Sequence, residues 1–587
     1  MKVNKYIISA LVCPFVLGSC ADWDDWKYDV EKPQTIAQYE YLNDYAPLKE
    51  YLDRGAHPGF KVSAALGVDE FNQQGPLFRL AAHNFDEIVA GNAMKMASCV
   101  NDQGVMDFSK VSSFVSAAED AGLTVYGHTL AWHAQQPRKW LEKLIADKEL
   151  DVDPSQKTFT ELSRQTYQDG KFPFYQMGCA PDVINGSIHF VPTGDWSQFF
   201  CVSGAALTPG NYAVDVEIKS TKSGNIKMTV QNGWGGDAES CDGTVALKEG
   251  WTTARFKMTL EKGGNYDFIL KPETFDATLD LKSVTVKKIV KTNSIPLTPK
   301  EKSDTLTWAM NKWISGMMQA TGGKVKAWDL INEAISGGGN VNGFYALQTE
   351  ATSEHNPQDF YWQDYFTPEM YGPIVEKAAR DAYAAVEGTN PADLKLFIND
   401  YNLESDWDNN QKVKSLVYWI GVWEKKGQEL GWNTKIDGIG SQMHISYYEN
   451  PQTLESKKKA IQNMLKIMVA SGKLVRISEI DMGYVDKDGN DVTTAQLEKL
   501  PIDERVAKEK AMAEYYKWII EQYFEIVPVE QQYGICQWCL TDSPADSGWR
   551  PGQPVGLWNL NYQRKPAYGG FADGLASSSA KGKSDVK

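Results

Sequence analysis

The sequence predicts an α/β protein, a (β/α)₈ TIM barrel with a β-sandwich inserted after the third barrel strand. Eight short apolar runs end in polar or aromatic residues, and all but one of the gaps between them have the length of a single helical crossover. Parallel strands buried on both faces have this continuous apolar pattern. At 587 residues the chain also exceeds what one hydrophobic core supports, so we expect at least two folded units.

The eight apolar runs define the predicted barrel strands. In chain order they occupy residues 60–66, 87–95, 123–133, 325–333, 394–402, 436–444, 474–481 and 533–542. Barrel enzymes bind substrate at the carboxyl ends of their strands, where these runs carry polar side chains. We therefore expect the functional site on that face, built from a catalytic barrel in two parts, 41–140 and 298–572.

The long gap after the third run predicts the insert. Residues 172–290 contain segments of alternating polarity, separated by Gly, Asn and Asp, which is typical of a β-sandwich. The predicted strands are 212–218, 226–230, 254–260, 266–270 and 283–288, and the predicted domain is 150–295. Because the insert follows a barrel strand, we expect it on the face that carries the functional residues, close to the cleft.

Charge and cysteine content exclude some partners. The net charge is −16, whereas nucleic-acid binding usually needs a basic face, so we expect no nucleic-acid partner. Cys536 and Cys539 have no second pair to complete a zinc site, and no third ligand accompanies His128 and His133 at a suitable spacing. We therefore predict neither a metal nor a cofactor, and we expect a monomer.

The two ends of the chain have the composition of non-core segments. Residues 1–19 combine a basic start with a short apolar stretch and end just before Cys20, as in a bacterial lipoprotein signal. We predict that Cys20 is lipid-modified, which would anchor the protein to the outer membrane or cell surface as its only membrane contact. Residues 20–40 are interpreted as a linker and 573–587 as a disordered tail.

Two glutamates at strand ends are the candidate catalytic pair. Hydrolysis of a glycosidic bond needs a proton donor for the leaving oxygen and a carboxylate facing the developing positive charge. Glu333 ends the fourth predicted strand and Glu479 the seventh, and these strands face each other across the barrel mouth. We expect a separation of about 5–5.5 Å, which is the spacing for retention of configuration. A surface ion pair is the alternative for either glutamate alone.

The sequence resembles the glycoside hydrolase family 10 endo-β-1,4-xylanases over about residues 40–140 and 298–572. Trp328-Asp329-Leu330-Ile331-Asn332-Glu333 is similar to the family's acid/base motif, and Ile477-Ser478-Glu479-Ile480-Asp481 to its nucleophile motif. Further similar segments begin at Gly127, Ile398 and Gln442 and surround Trp538, Trp549 and Lys565. The resemblance implies endo-hydrolysis of xylan or arabinoxylan, with xylo-oligosaccharides as further ligands.

The resemblance also implies roles for individual residues. Glu333 would be the acid/base and Glu479 the nucleophile, oriented by His444, while Asn332 would bind the sugar 2-hydroxyl and Gln442 would hold the pair. The remaining implied substrate-binding residues are Asn92, Lys95, His128, Trp132, Gln135, Tyr401, Trp538 and Trp549. Gly91 departs from the family pattern, which usually has Glu there, so we expect weaker binding of the −2 sugar.

The insert is similar to xylan-binding carbohydrate modules found within some relatives. Trp196, Trp234 and Trp251 are its candidate stacking residues, with core packing as the alternative for each. Two other functions remain open for the whole chain. It could be a related barrel hydrolase acting on cellulose or mannan, or a surface glycan-binding lipoprotein without catalytic activity.

Overall fold

The computed structural model describes residues 32–149, 158–167, 176–177, 181–194, 196–233, 239–272, 275, 277–290, 294–353, 356 and 358–579. These residues form two compact units. Unit 1 comprises the described parts of Met1–Ile145 and Pro299–Lys587, and unit 2 those of Ala146–Thr298. The second unit is thus inserted in the sequence of the first.

Strands are numbered here in chain order over the described residues. The first sixteen are β1 (Lys61–Leu66), β2 (Glu87–Ala90), β3 (Thr124–Tyr126), β4 (Lys148–Glu149), β5 (Thr158–Thr166), β6 (Gln176–Met177), β7 (Asp182–Ile184), β8 (Ser187–Phe190), β9 (Gln198–Leu207), β10 (Gly210–Ser220), β11 (Gly224–Asn232), β12 (Glu239–Leu247), β13 (Gly250–Leu260), β14 (Gly264–Lys271), β15 (Leu279–Val290) and β16 (Ser294–Ile295). The rest are β17 (Ala327–Asn332), β18 (Lys395–Asp400), β19 (Gly438–Ser441), β20 (His444–Tyr448), β21 (Leu474–Val485) and β22 (Gln532–Gln537).

Helices follow the same convention. They are α1 (Gln34–Ala37), α2 (Val68–Asn72), α3 (Pro76–Asn84), α4 (Met96–Cys99), α5 (Ser109–Asp120), α6 (Arg138–Leu144), α7 (Pro299–Ala320), α8 (Gln363–Phe366), α9 (Pro368–Ala384), α10 (Gln411–Glu429), α11 (Pro451–Ala470), α12 (Thr494–Leu497), α13 (Ile502–Ile526) and α14 (Pro566–Ala576). Short 3₁₀ turns cover Glu40–Asp44, Leu48–Tyr51, Pro391–Asp393 and Val529–Gln531. In the described part of the chain, no helix is both long and apolar enough to cross a bilayer.

Unit 1 is the predicted (β/α)₈ barrel. Its parallel strands follow the order β17, β18, β19, β21, β22, β1, β2, β3. Each strand overlaps one of the eight predicted runs. The ring closes between β3 and β17, where the Gly127 N–H donates to the Ala327 carbonyl at 2.9 Å and the Asp329 N–H donates to the Gly127 carbonyl at 2.9 Å. The strands are almost fully buried, which explains their continuous apolar sequences.

Helix α7 illustrates how the outer helices position the strand ends. Leu306, Met310, Trp313 and Met317 recur at helical spacing and are all buried. The indole of Trp313 donates to the carbonyl of Leu130 at 2.8 Å, which fixes the segment after β3. Burial of this apolar stripe therefore stabilises both the helix and one edge of the cleft.

A buried charge pair lies inside the barrel. Arg476 on β21 donates to Glu87 on β2 at 2.8 Å, and its guanidinium lies 3.6 Å from the ring centre of Tyr126. Arg476 is completely buried; burial lowers its pKa, but the charge of Glu87 and other neighbouring groups outweigh burial and raise the pKa above its ordinary value. The pair joins two strands that are separated by β22 and β1 in the sheet.

Unit 2 is a β-sandwich. One sheet has the order β13, β10, β15, β8, β7, with β5 also paired to β15, and the other has the order β12, β11, β14, β9, β6. Val214, Val216 and Ile218 of β10 contribute to its core together with Phe256 and Phe268. The unit begins and ends with β4 and β16, which pair with each other in antiparallel fashion.

The structure differs from two predicted terminal boundaries. Residues predicted as linker include α1, and the Tyr39 hydroxyl donates to Glu509 at 2.7 Å, so this part of the segment is attached to the barrel. The predicted tail begins inside α14, where Leu575 is fully buried and Asp573 accepts from Tyr45 at 3.2 Å. Both segments contain apolar or aromatic residues that pack on the barrel. The average composition of each segment does not reveal these residues. The signal segment, Cys20 and residues 580–587 lie outside the described residues.

Candidate active site

A cavity of about 1240 Å³ lies in unit 1 at the carboxyl ends of the barrel strands. Twelve of the thirteen predicted catalytic and substrate-binding residues line it. They are Asn92, Lys95, His128, Trp132, Gln135, Asn332, Glu333, Gln442, His444, Glu479, Trp538 and Trp549. The cavity thus brings together side chains that are up to 457 positions apart in sequence, from Asn92 to Trp549.

Glu479 is a buried carboxylate that the surrounding groups keep ionised. Its Oε1 accepts a hydrogen bond from Asn399 Nδ2 at 2.8 Å, and its Oε2 lies 3.4 Å from His444 Nε2. Burial alone would raise the pKa of Glu479, but the hydrogen bond from His444 and the charges of His128 and His444 lower it below the ordinary value. An ionised carboxylate in a cavity is suited to act as a nucleophile.

His444 is held between two carboxylates. Its Nδ1 lies 2.9 Å from Asp481 Oδ2, while Nε2 faces Glu479. Burial lowers the pKa of His444, but the two carboxylates outweigh burial and raise it to about 10. The imidazole is therefore protonated at neutral pH and donates from both nitrogens. Glu479 and Asp481 reach it from the same face of β21 because side chains two positions apart in a strand point the same way.

Glu333 follows β17 in a strained backbone conformation. Its φ is 54°, a region that non-glycine residues seldom adopt. The strain is offset by two backbone contacts: its N–H donates to the Asn399 carbonyl at 2.8 Å, and its carbonyl accepts from Gln348 at 2.8 Å. The carboxylate accepts from Trp132 Nε1 at 3.0 Å and from Gln442 Nε2 at 2.9 Å. Strain at a site held by so many contacts is typical of a functional residue.

Asn399 joins the surroundings of the two glutamates. Its Nδ2 donates to Asn332 Oδ1 at 2.9 Å as well as to Glu479, and its Oδ1 accepts from Ser478 at 2.5 Å. Gln442 then connects Asn332 to Glu333, with Nε2 3.4 Å from the Asn332 oxygen. The two carboxylates therefore belong to one hydrogen-bond network around one cavity. The network leaves no space beside Asn399, since a Cβ at Gly440 would lie 2.5 Å from its Oδ1.

Lys95 and His128 form a polar wall of the cavity. Lys95 donates to Asn92 at 2.9 Å, and its ammonium lies 4.9 Å from the ring centre of Trp132. Burial lowers the pKa of Lys95, while the charges of Glu479 and Glu333 oppose that shift. His128 is fixed by Asp329, whose Oδ2 lies 2.8 Å from Nδ1. This wall offers several donors to sugar hydroxyls.

Two tryptophans border the cavity next to His444. The Trp538 ring lies 6.2 Å from the His444 ring, and the Trp549 ring lies 4.5 Å from it. The Trp549 indole donates to Asp481 at 2.8 Å, although 43% of the residue is exposed. An anchored yet exposed indole offers a flat apolar surface of the kind that stacks on a sugar ring.

Tyr401 is the predicted site residue that does not line this cavity. It follows β18 and packs beneath Lys412, whose ammonium lies 3.3 Å from its ring centre. Lys412 is also paired with the buried Asp400 at 2.8 Å. A role of Tyr401 as a wall of the cleft stays a prediction, as do the individual sugar contacts of the other residues.

Three residues of the site have no role in the sequence-based prediction, namely Asn399, Asp481 and Asp329. Each holds a residue that faces the cavity, namely Glu479, His444 and His128. A signal was present, because each is a polar residue within a buried strand. Such residues are costly to bury without a partner, so they indicate a polar network.

Gly91 leaves open space at the end of β2. A Cβ built there would meet the Leu66 carbonyl oxygen at 3.6 Å, which is ordinary van der Waals contact. Gly91 also lines the cavity. A Cβ at Gly91 therefore causes no clash, and the acidic residues Asp69 and Glu70 line the same cavity.

The sequence profile of Glycosyl hydrolase family 10 matches residues 52–192 and 284–574. Endo-1,4-beta-xylanase A of Cellvibrio japonicus is 28% identical over 275 residues, which are 43% of this chain and 38% of that protein. Endo-beta-1,4-xylanase Xyn10C of Cellvibrio japonicus is 27% identical over 268 residues, 43% of this chain and 37% of that protein.

A solved structure, native xylanase10C from Cellvibrio japonicus, has a TM-score of 0.48 and 18% identity, covering 90% of this chain and 73% of that chain. The chain spans less than two fifths of the length of the two curated relatives above. The family profile, in contrast, matches well over half of the residues, and its second segment, 284–574, contains both Glu333 and Glu479. This chain belongs to glycosyl hydrolase family 10.

Proposed function

We propose that this chain is an endo-acting β-1,4-xylanase that cleaves xylan or arabinoxylan with retention of anomeric configuration. The observation that carries the proposal is the pairing of an ionised Glu479 with Glu333 around one cavity, joined through Asn399 and Gln442. The printed names of the curated relatives, which are endo-xylanases, support xylan as the substrate.

In the first step, the Glu479 carboxylate attacks the anomeric carbon while the bond to the leaving oxygen breaks. Glu333 gives its proton to that oxygen, so the departing sugar leaves as an alcohol. The charge on Glu479 ends in an ester bond, and the protonated His444 no longer faces a full negative charge. Trp132 and Gln442 hold the Glu333 carboxylate as it becomes ionised.

In the second step, Glu333 takes a proton from water, whose oxygen attacks the anomeric carbon. The ester bond to Glu479 breaks and its carboxylate is restored, now again opposite His444. Two inversions at one carbon give net retention. Asn332 is proposed to bind the 2-hydroxyl of the reacting sugar, and this hydrogen bond strengthens as positive charge develops on the ring.

The remaining lining residues are proposed to hold the sugars on the non-reducing side. Lys95, Asn92, His128 and Gln135 supply hydrogen bonds, and Trp132 with Trp538 and Trp549 supplies apolar faces. The open space at Gly91 makes the −2 position weaker than in relatives with a glutamate there. Tyr401 is proposed as a wall farther along the cleft.

The test is a reducing-sugar and viscosity assay on xylan, arabinoxylan, cellulose and mannan. We expect xylan viscosity to fall well before most reducing ends appear, which is diagnostic of internal cleavage, and proton NMR to show the β-anomer first. Preferential cleavage of cellulose or mannan would contradict the substrate. No activity on any of the four would support a non-catalytic glycan-binding protein instead.

We also propose that Cys20 is lipid-modified and anchors a monomer to the outer membrane or cell surface. The basic start, the short apolar stretch and the small residues before Cys20 support this. Radiolabelled palmitate should be incorporated into the expressed full chain and not into Cys20→Ala, with Cys13→Ala as the matched control. Labelling of Cys20→Ala would contradict the proposal.

A further inference from the structure

The cavity that contains the two glutamates extends past Gly91 to a tyrosine and a glutamate that no step of the proposed reaction uses. Glu70 lies on α2, directly after β1, and Tyr562 lies on the segment between β22 and α14. Both residues line the cavity. The Tyr562 hydroxyl donates to Glu70 Oε1 at 2.6 Å, across 492 positions of sequence. The contact therefore joins two separate segments at the edge of the cavity.

Glu70 lies on the side of the cavity where Gly91 leaves open space. The Gly91 N–H donates to the carbonyl of Leu66 at 3.1 Å, and Leu66 is the last residue of β1. Only Gly67 separates that strand from α2, which carries Glu70. From Glu333, the ring of strands passes through β3 and β2, whose ends carry the proposed contacts to the first sugars, before it reaches β1. Glu70 therefore lies next to the −2 position, on the side away from Glu333.

Tyr562 is held in a backbone conformation that a large residue seldom adopts. Its φ is 58°, in the left-handed region. The turn is fixed by Asn559, whose carbonyl accepts from the Tyr562 N–H at 3.0 Å. The Asn559 side chain also accepts from the N–H groups of Asn561 at 2.9 Å and Gln563 at 3.0 Å. Strained residues that their surroundings hold in place are common at functional sites.

The Tyr562 side chain has open space on two sides. It lines the catalytic cavity and also a second cavity of about 770 Å³, which Ile36 and Tyr39 of the N-terminal segment help to line. Packing alone therefore does not fix the hydroxyl end of the ring, and the hydrogen bond to Glu70 does. Burial and this hydrogen bond raise the pKa of Tyr562 to about 12, so the hydroxyl is protonated and donates at neutral pH.

Together the two side chains offer both kinds of contact that a pyranose makes. Its C–H face stacks on a flat aromatic ring, and its hydroxyls donate to carboxylate oxygens. Oε1 of Glu70 accepts from Tyr562, whereas Oε2 has no hydrogen-bond partner within the described part of the chain. The neighbouring Asp69 is already occupied, because the Lys110 ammonium lies 2.9 Å from its Oδ1 and 3.0 Å from its Oδ2. Glu70 is therefore the carboxylate of α2 with an oxygen available to a hydroxyl.

We propose that Tyr562 and Glu70 bind a third sugar on the non-reducing side of the cleft, stacked on the Tyr562 ring and donating a hydroxyl to Glu70 Oε2. The proposal rests on the proposed function, because it takes the same xylan chain as its ligand. Glu70 is also the positioning residue of the ring. Binding is thereby shifted outward, from the −2 position without a carboxylate at Gly91 to the sugar next to it.

Two aryl glycosides isolate the contribution of the third sugar. The aryl group occupies the leaving side, so an aryl β-xylobioside fills the −1 and −2 positions and an aryl β-xylotrioside fills the third position as well. Only release of the aryl group is counted. In the parent, kcat/KM should be about tenfold higher for the xylotrioside. Tyr562→Ala should lower this ratio to about one and leave kcat/KM on the xylobioside unchanged.

Further variants separate the ring from the residue that positions it. Glu70→Ala removes the acceptor and should lower the ratio severalfold. Glu70→Gln keeps an acceptor for the Tyr562 hydroxyl and should retain most of the ratio. The matched control is Tyr41→Ala, which removes a tyrosine of the same unit that is 38% exposed and lines neither cavity. It should keep the parental ratio.

A parental ratio in Tyr562→Ala would overturn the proposal. An equal loss on both glycosides would also overturn it, because a purely structural role of Tyr562 would affect both alike. A ratio near one in the parent would remove the third sugar position and leave the proposed function intact. Failure of the parent to release the aryl group from either glycoside would instead contradict the proposed function, and this inference with it.

Discussion

His444 Nε2 lies 3.4 Å from Oε2 of Glu479, and the pKa values of the two groups are shifted in opposite directions, that of His444 up to about 10 and that of Glu479 below its ordinary value. Each group stabilises the charged form of the other. At neutral pH the pair is therefore an imidazolium and a carboxylate, and Asp481 on the far side of the ring maintains the imidazolium.

The first prediction concerns pH dependence. Glu479 must be ionised to react, so kcat/KM should fall as pH drops through its lowered pKa. In His444→Asn the positive charge is lost, the pKa of Glu479 rises, and the acidic limb of the profile should move up by about one pH unit or more. His83→Asn, which changes a histidine on α3 outside the cavity, is the control. An unmoved limb in His444→Asn would show that the imidazolium does not set the charge of Glu479.

The second prediction separates the roles of the two glutamates. With an aryl xylobioside that has a good leaving group, azide should restore activity to both Glu333→Ala and Glu479→Ala but give products of opposite configuration. The β-azide is expected from Glu333→Ala, because the ester to Glu479 still forms, and the α-azide from Glu479→Ala. Without azide, Glu333→Ala should lose about 10²–10⁴-fold in kcat on xylan.

The control for this experiment is Glu119→Ala, an exposed carboxylate paired with Lys324. It should retain full activity and yield no azide product. Azide products of the same configuration from both glutamate variants would contradict the assignment of distinct roles.

The third prediction uses the open space at Gly91. Gly91→Glu adds a carboxylate through a Cβ that makes only ordinary van der Waals contact, so kcat/KM on xylotriose should rise about tenfold through a charged hydrogen bond to the −2 sugar. Gly91→Ala adds the Cβ without the carboxylate and should leave kcat/KM unchanged. If Gly91→Glu behaves like Gly91→Ala, the missing carboxylate is not what weakens this position.

The fourth prediction concerns stability. Arg476→Met leaves Glu87 buried without its partner and should lower the free energy of unfolding by about 3–5 kcal/mol, measured by urea denaturation. The double variant Arg476→Met with Glu87→Leu should recover much of that loss, because no unpaired charge remains. Lys326→Met, which removes an exposed partner of Asp393, should change stability little. A double variant no more stable than Arg476→Met would indicate that ring contacts with Tyr126, rather than the ion pair, stabilise the barrel.

The barrel could be predicted because each strand is buried on both faces and has an unbroken apolar sequence. Several predicted runs are longer than the strands they contain. The run 123–133, for example, contains β3, which covers only Thr124–Tyr126, since apolar residues continue past the last ladder hydrogen bond. In the sandwich, β5, β6, β7, β8, β9 and β12 were not among the five predicted strands. β12 is the edge strand of its sheet, and both β5 and β12 have polar sequences without regular alternation.

The two glutamates could be predicted because each stands at a strand end within a specific motif. Asn399 and Asp481 could not be given roles in the same way. Asn399 on β18 contacts Glu479 on β21 across one intervening strand, β19, and that neighbourhood depends on the register of the closed barrel rather than on sequence spacing. Tyr401 shows the converse, since this residue lies within a matching motif but packs under Lys412.

The antiparallel pairing of β4 with β16 holds the entry and exit of the sandwich about 5 Å apart. The inserted unit has more than 140 residues, but its two ends lie side by side. The loss of chain entropy that it causes when the barrel folds is therefore roughly that of closing a tight hairpin. A gene segment encoding this unit could be gained, lost or exchanged between enzymes at little cost to the folding of the host barrel.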